Sequence, residues 1–145
     1  MQKITLTGSC LCGAVNYEVT GNPARFYHCH CQRCRKATGT GHASNMMLTD
    51  ATLVFTKGES LLKHYKVPEA ERFSRLFCSN CGSPVARNVP GIEAVVIPAG
   101  SLDSAPPIVP QARIFWNSRA EWSCSGDELP RFEEYANPAP SASQA

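Results

Sequence analysis

The chain carries very little net charge and no long basic segment. Its 14 Lys and Arg against 12 Asp and Glu leave a formal +2 over 145 residues, too small to argue for a nucleic-acid partner, whose phosphates are met by clustered Lys and Arg. An apolar run long enough to span a membrane is also missing. The opening MQKITLTGSC holds no apolar h-region of a secretory signal, so a cytoplasmic protein with no membrane partner is expected. No internal repeat is present, and helical pattern is scarce. With 43% hydrophobic and 18% charged residues the composition is that of an ordinary globular chain. A chain of this length buries roughly 68–70% of its unfolded surface as one domain, so size alone demands neither metal nor disulfide.

Cysteine, by contrast, is plentiful and clustered. Seven of the eight fall into Cys10-x-Cys12, Cys29-x-Cys31-x-x-Cys34 and Cys78-x-x-Cys81. Without export, such thiols stay reduced. Thiols this close in sequence cannot all pair as disulfides, whereas tetrahedral Zn²⁺ takes sulfur ligands at about 2.3 Å from short knuckles of this kind. Gly13 and Gly82 each directly follow a knuckle thiol, where a residue free to take φ > 0 lets backbone N–H groups point back at sulfur. A thioredoxin-like redox use of Cys78 and Cys81 would want a long helix after the motif, and Pro84 with its polar neighbours offers none. Two pairs close one four-thiol site, and the triplet supplies three ligands with a position left over. Four-ligand zinc sites are structural, while three-ligand sites keep a place for water or substrate. Spacing alone leaves a second partition open, a ribbon of Cys31, Cys34, Cys78 and Cys81, although the segment between its halves is longer than the usual ~15–20 residues.

Strand-like alternation accounts for most of the remainder. Residues 3–7 and 15–20 read as strands around the first knuckle, and Gly21-Asn22-Pro23 reads as a turn. Residues 24–31 look extended, which puts Cys29 and Cys31 on one face and His28 and His30 on the other. Residues 32–38 form the one short helix, ending near Gly39 or Gly41. Its N-terminus and the cations Arg33, Arg35 and Lys36 favour thiolates nearby. Those cations fit either a solvated basic face or the attraction of an anionic ligand. Short strands follow at 43–48, 52–56 and 62–67, with Asp50 as one break, then at 71–77 with Phe73 and Phe77 as core residues, at 94–97 and at 113–116. Trp116 and Trp122 read as packed aromatics, and the isolated Cys124 as a small buried hydrophobe. One domain over 1–136 is expected, with a disordered tail over 137–145.

Three motifs together resemble a known family: Gly8-Ser9-Cys10-Leu11-Cys12-Gly13, His28-Cys29-His30-Cys31-x-x-Cys34-Arg35-Lys36-x-Thr38-Gly39, and Phe77-Cys78-x-x-Cys81-Gly82-x-Pro84. The pattern is similar to the glutathione-dependent formaldehyde-activating enzyme family, which includes the centromere protein V relatives. Gly100-Ser101-Leu102-Asp103 is similar to a further element of it. The resemblance implies a mainly β, Mss4-like fold of coiled antiparallel sheets, with two Zn²⁺ per chain. It implies that Cys10, Cys12, Cys78 and Cys81 hold a structural zinc and that Cys29, Cys31 and Cys34 hold a catalytic one. The implied activity is that of a carbon–sulfur lyase joining glutathione, or a similar small thiol, to formaldehyde or a related aldehyde. A general acid is then needed, and His28 or His30 is the nearest titratable group in sequence. The rival expectation is a zinc-organised binding module without turnover.

Overall fold

The first two strands form a hairpin whose turn is the first knuckle. β1 (Ile4–Ser9) pairs antiparallel with the start of β2 (Asn16–Cys29), from Ile4 opposite Gly21 to Ser9 opposite Asn16. The alternation does what period two requires: Leu6, Tyr17 and Val19 are buried and Glu18 is exposed. The computed structural model describes residues 2–124 and 129–136. The side chain of Cys124 and the expected tail from 137 lie outside the described residues.

Two expected breaks are absent. β2 runs straight through Gly21-Asn22-Pro23, and β3 (Ala43–Lys57) runs through Asp50, the two pairing antiparallel along most of their length. The turn-forming residues are accommodated as irregularities in the ladder, with register shifts between Thr20 and Asn22 and between Pro23 and Arg25. At the first, Gly21 faces Asp50 and Ala51 together, Asp50 takes φ 47°, and a Cβ on Gly21 would come within 2.7 Å of the Ala51 Cβ. Gly and Asp therefore signal a bulge here rather than a reversal. Pro23 lies where the outer side of β2 has no partner strand among the described residues, between β1 and a later strand that joins at Tyr27, so its lack of an N–H is tolerated.

The helix α1 spans Gln32–Thr38 as expected and ends at Gly39 (φ 72°), whose N–H bonds the Arg35 carbonyl. It is the one α-helix among the described residues. β4 (Leu62–Lys66) and β5 (Ser74–Cys78) make a separate two-stranded antiparallel sheet. β6 (Arg87–Asn88) and β7 (Ala94–Pro98) complete the main sheet in the order β1-β2-β3-β7-β6. β8 (Ala112–Ile114) lies parallel to the end of β2, pairing Tyr27 to Cys29, the one parallel pairing among the described residues in an otherwise antiparallel, mainly β architecture consistent with the Mss4-like fold.

The main core gathers Val15, Tyr17, Val19, Met46, Leu48, Val85, Val95 and Ile97, with the Cys78 thiol at its edge. The expected strand over 71–77 begins only at Ser74, so Phe73 precedes it and packs against a different group, described below. Phe77 is half-buried. Trp122 is 67% exposed rather than packed inside. Among the described residues no helix is long and apolar enough to cross a membrane.

Candidate metal centres and active site

The β1–β2 turn and the loop after β5 bring Cys10, Cys12, Cys78 and Cys81 together, all four sulfurs lying within 4.8 Å of one another. Each half is shaped by its own backbone. Gly13 (φ 78°) donates to the Cys10 carbonyl and Gly82 (φ 76°) to the Cys78 carbonyl, the left-handed glycines that the motifs foretold. The Val15 N–H points at Cys10 Sγ (3.3 Å), and the Asn80 side-chain amide at Cys12 Sγ (3.3 Å). Across the halves, the Leu11 N–H reaches the Ser83 hydroxyl (3.4 Å). Sulfur pairs stand 3.6 and 3.9 Å apart. A tetrahedron with metal–sulfur bonds of about 2.3 Å has edges of about 3.8 Å, against about 2.05 Å for a disulfide, so the spacing fits a shared metal ion.

Electrostatics agree with the geometry. The Ser83 hydroxyl and backbone N–H pull Cys81 down to about 5. The Asn80 amide, then the Ala14 backbone, lowers Cys12. At Cys78 the Cys81 N–H favours the thiolate, yet burial and the neighbouring thiols raise it overall. Protons shared unequally among four sulfurs are what a divalent cation displaces.

Cys29, Cys31 and Cys34 form the second group, again with sulfurs within 4.8 Å. Cys29 ends β2; Cys31 is the N-cap of α1 and its sulfur accepts from the Cys34 N–H (3.3 Å), which folds Cys34 back toward the other two. Cys29, Cys34 and Ala43 are buried together, with Cys31, Phe73 and Ile114 packed around them. Burial raises Cys29 and, with help from the adjoining thiols, raises Cys34 further. Burial would raise Cys31 too, but the Cys34 N–H and the neighbouring thiols outweigh it and the net shift is downward. No fourth His, Cys, Asp or Glu joins this group among the described residues.

One wall of this group opens on a narrow cavity of about 60 Å³ lined by Cys34, Phe73, Arg75 and Arg87. Arg75 is half-buried and donates to the Ala37 carbonyl at the end of α1. Burial lowers both guanidiniums, repulsion from Arg75 lowers Arg87 further, and the Cys34 sulfur works in the opposite direction on each.

His28 and His30 lie apart from the sulfurs. Alternation along β2 turns them to the other face, where His28 stacks on His42 (ring centroids 4.1 Å) and His30 stands 5.0 Å from His42 and edge-on to Trp116 at 5.1 Å. Arg113 and Arg119 lie over the Trp116 ring. His30 is buried with no hydrogen bond to either ring nitrogen. Burial first, then repulsion from neighbouring imidazoles and from Arg113, lowers both rings.

The model of the glutathione-dependent formaldehyde-activating enzyme family matches residues 5–118. The chain belongs to that family. No curated protein matches it. Among solved structures, a Rhodobacter sphaeroides protein determined as a structural-genomics target aligns over 74% of this chain and 99% of its own, with TM-score 0.54 and 24% identity, a likeness of fold.

As a family member the chain shows a 4 + 3 grouping of its thiols, and the ribbon partition left open by spacing is excluded by position: Cys31 and Cys34 belong with Cys29, Cys78 and Cys81 with Cys10 and Cys12. Both groups can hold a metal ion, and a soft, all-thiolate donor set suits zinc. Sequence reasoning passed over Arg75, Arg87 and His42. His42 carried a faint signal, lying just beyond Gly41 at the start of β3; the two arginines carried none, because only the fold brings β5 and β6 beside α1.

Proposed function

We propose that the protein is a zinc-dependent carbon–sulfur lyase that joins a small thiol, glutathione or one like it, to formaldehyde or a related aldehyde. The observation that supports this most is the three-thiol group, which has no fourth protein donor among the described residues and borders the cavity at Cys34. In this reading Cys10, Cys12, Cys78 and Cys81 hold a structural zinc, and Cys29, Cys31 and Cys34 a catalytic one. Zinc bound by three thiolates supplies a Lewis acid and a soft position that favours an incoming thiol as thiolate.

The chain's own part is positional and electrostatic. The thiol sulfur attacks the aldehyde carbon, one C–S bond forms, the carbonyl π pair moves to oxygen, and the proton lost by the thiol ends on that oxygen. Arg75 and Arg87 face the reacting region with two positive charges and no acidic neighbour among the cavity residues, which favours the thiolate and the developing alkoxide. Of the two histidine candidates, half-buried His28 serves as proton carrier through solvent, while His30, buried and without a hydrogen bond, acts only through its contact with His42. The clustered thiols, kept available to a metal, support a cytoplasmic location.

The test is hemithioacetal formation from glutathione and formaldehyde with metal content measured in parallel. Acceleration over the uncatalysed reaction, abolished by a chelator, is expected. No acceleration with both metals bound would leave a zinc-organised binding module.

A further inference from the structure

Of the motifs in the sequence, Gly100-Ser101-Leu102-Asp103 supplies no thiol and has no part in either metal group. The fold gives it a place. Ala99–Ser101 make a turn of 3-10 helix after β7, and the residues that follow are tied to β1 by backbone, Leu102 bridging Gly8 and the Asp103 N–H donating to the Thr7 carbonyl (2.9 Å). With Ser9, Cys10 and Leu11 of the first knuckle and Ser83 and Pro84 beyond the second, this segment borders a cleft of about 400 Å³. That volume is within the range of small-molecule sites.

Hydrogen-bond accounting says what the cleft lacks. Asp103 is the one charged residue lining it, and no ion pair engages it among the described residues, where the pair formed is Lys3 with Asp50. Its Oδ1 accepts from the Ser9 hydroxyl (2.7 Å). The Ser101 hydroxyl donates to the Pro98 carbonyl (2.7 Å) and accepts from the Tyr17 hydroxyl (2.6 Å). Ser83 accepts the Leu11 N–H and turns its own proton to the Cys81 sulfur. A hydroxyl carries a single proton and a carboxylate none, so every lining hydroxyl has spent its donor. What these side chains still offer is lone pairs and one negative charge. The rest of the wall is carbon, from Pro84, Pro98 and Leu102 to Leu11, which is left 85% exposed at the knuckle's tip.

We propose that this cleft binds a small primary amine in its ammonium form, the N–H donors meeting Asp103, Ser9 and Ser101 and the carbon chain lying against Leu11 and the two prolines. An ammonium brings three donors, a positive charge and no acceptor, which is the complement of what the lining leaves over. An acidic ligand is excluded on the same grounds, because its carboxylates would meet only lone pairs and Asp103. The cleft is therefore a site apart from the lyase reaction and independent of that reading, although Pro84 and Pro98 also wall the cavity at Cys34. It binds without chemistry of its own: no histidine lines it, and its one thiol, Cys10, belongs to the four-thiol group.

The experiment is an NMR titration of the full-length, zinc-loaded, isotopically labelled protein with n-butylammonium chloride. Tetramethylammonium, which has the charge without donors, and n-butanol, which has a donor without the charge, are the controls. Saturable shifts of the backbone amides at 9–11 and 99–103 are expected with butylammonium, with a dissociation constant on the order of 1 mM, weaker binding of both controls, and no displacement by glutathione. Asp103→Asn keeps the shape and removes the charge, and should weaken butylammonium about five-fold, the upper end of what an exposed charge contact supplies. Gly100→Leu, at a position where a Cβ meets no atom within 4 Å, obstructs the cleft without crowding the fold and should abolish the shifts. Zinc content and melting temperature confirm that each variant is folded and loaded. No saturable shift at these amides, equal binding of either control, displacement by glutathione, or unchanged binding in Asp103→Asn or in Gly100→Leu overturns the proposal.

Discussion

The two thiol groups use the same ligand atom and similar turns, yet the chain reaches them in opposite ways. One is assembled from two knuckles, with Cys12 and Cys78 separated by 66 positions, and it joins the β1–β2 turn to the end of β5. The other lies within six residues of a strand end and the helix that follows it. A metal that ties distant segments contributes directly to folding, because no preformed site exists in the unfolded chain. A metal held by neighbouring residues closes almost no loop, and the fold around it owes more to β2, β3 and β8 than to the ion. The first arrangement suits permanence and the second suits exchange.

The sharpest way to break this comparison is one substitution on each side. Cys81→Ser should fail to give soluble folded protein, since structural zinc sites contribute on the order of 10 kcal/mol. Cys31→Ser should fold, carry one zinc fewer, and lose activity by more than about 100-fold, given that even second-layer changes cost 10–100-fold. Zinc per chain and a thermal melt for each variant decide it. If the two variants melt alike, the division of labour is wrong.

Acidification offers a gentler test. A thiol with a lowered pKa remains thiolate, and remains a ligand, to lower pH; a raised one is protonated sooner. Cys12 and Cys81 (about 5) are lowered in the four-thiol group, with Cys78 raised, whereas in the three-thiol group Cys29 and Cys34 are raised and Cys31 alone is lowered. Falling pH should therefore release the three-thiol metal first, because two of its three sulfurs take up protons more readily than free thiols do. A zinc-sensitive dye during titration reads the two steps; simultaneous release would contradict the assignment. The smallest effect belongs to Asn80→Ala, which removes the amide donor to Cys12 Sγ. A loss of about ten-fold in metal affinity with a melt lowered by only a few degrees is expected, checked by competition with a chelator. If affinity is unchanged, the amide is a packing contact only.

Local chemistry was the legible part of the sequence. The helix over 32–38 and the glycines after the knuckles were carried by spacing within a few residues and are found as expected, and the seven candidate cysteines gather into two groups that could hold a metal ion. What misled was punctuation. Gly21, Asn22, Pro23 and Asp50 are turn formers when neighbours are ignored, but β2 and β3 pair along most of their length and absorb them as bulges, the ladder overriding local preference. The parallel joining of β8 to β2 and the arrival of Arg75 and Arg87 beside Cys34 depend on contacts between remote segments. Trp122 shows the same limit: a large aromatic near a domain's end tells its volume and not its side.

The separation of Cys12 from Cys78 also sets an order of events during synthesis. As the chain emerges from the ribosome, the three-thiol set is complete once Cys34 has been made, while the four-thiol set must wait for Cys81. Domains are made from the N-terminus at roughly 5–20 residues per second, so for several seconds a nascent chain has all the ligands of one site and half of the other. Cys10 and Cys12 are in that interval an unfinished pair beside a complete trio, exposed to capturing the wrong ion or each other's. The set that joins distant segments is thus the last to be completed.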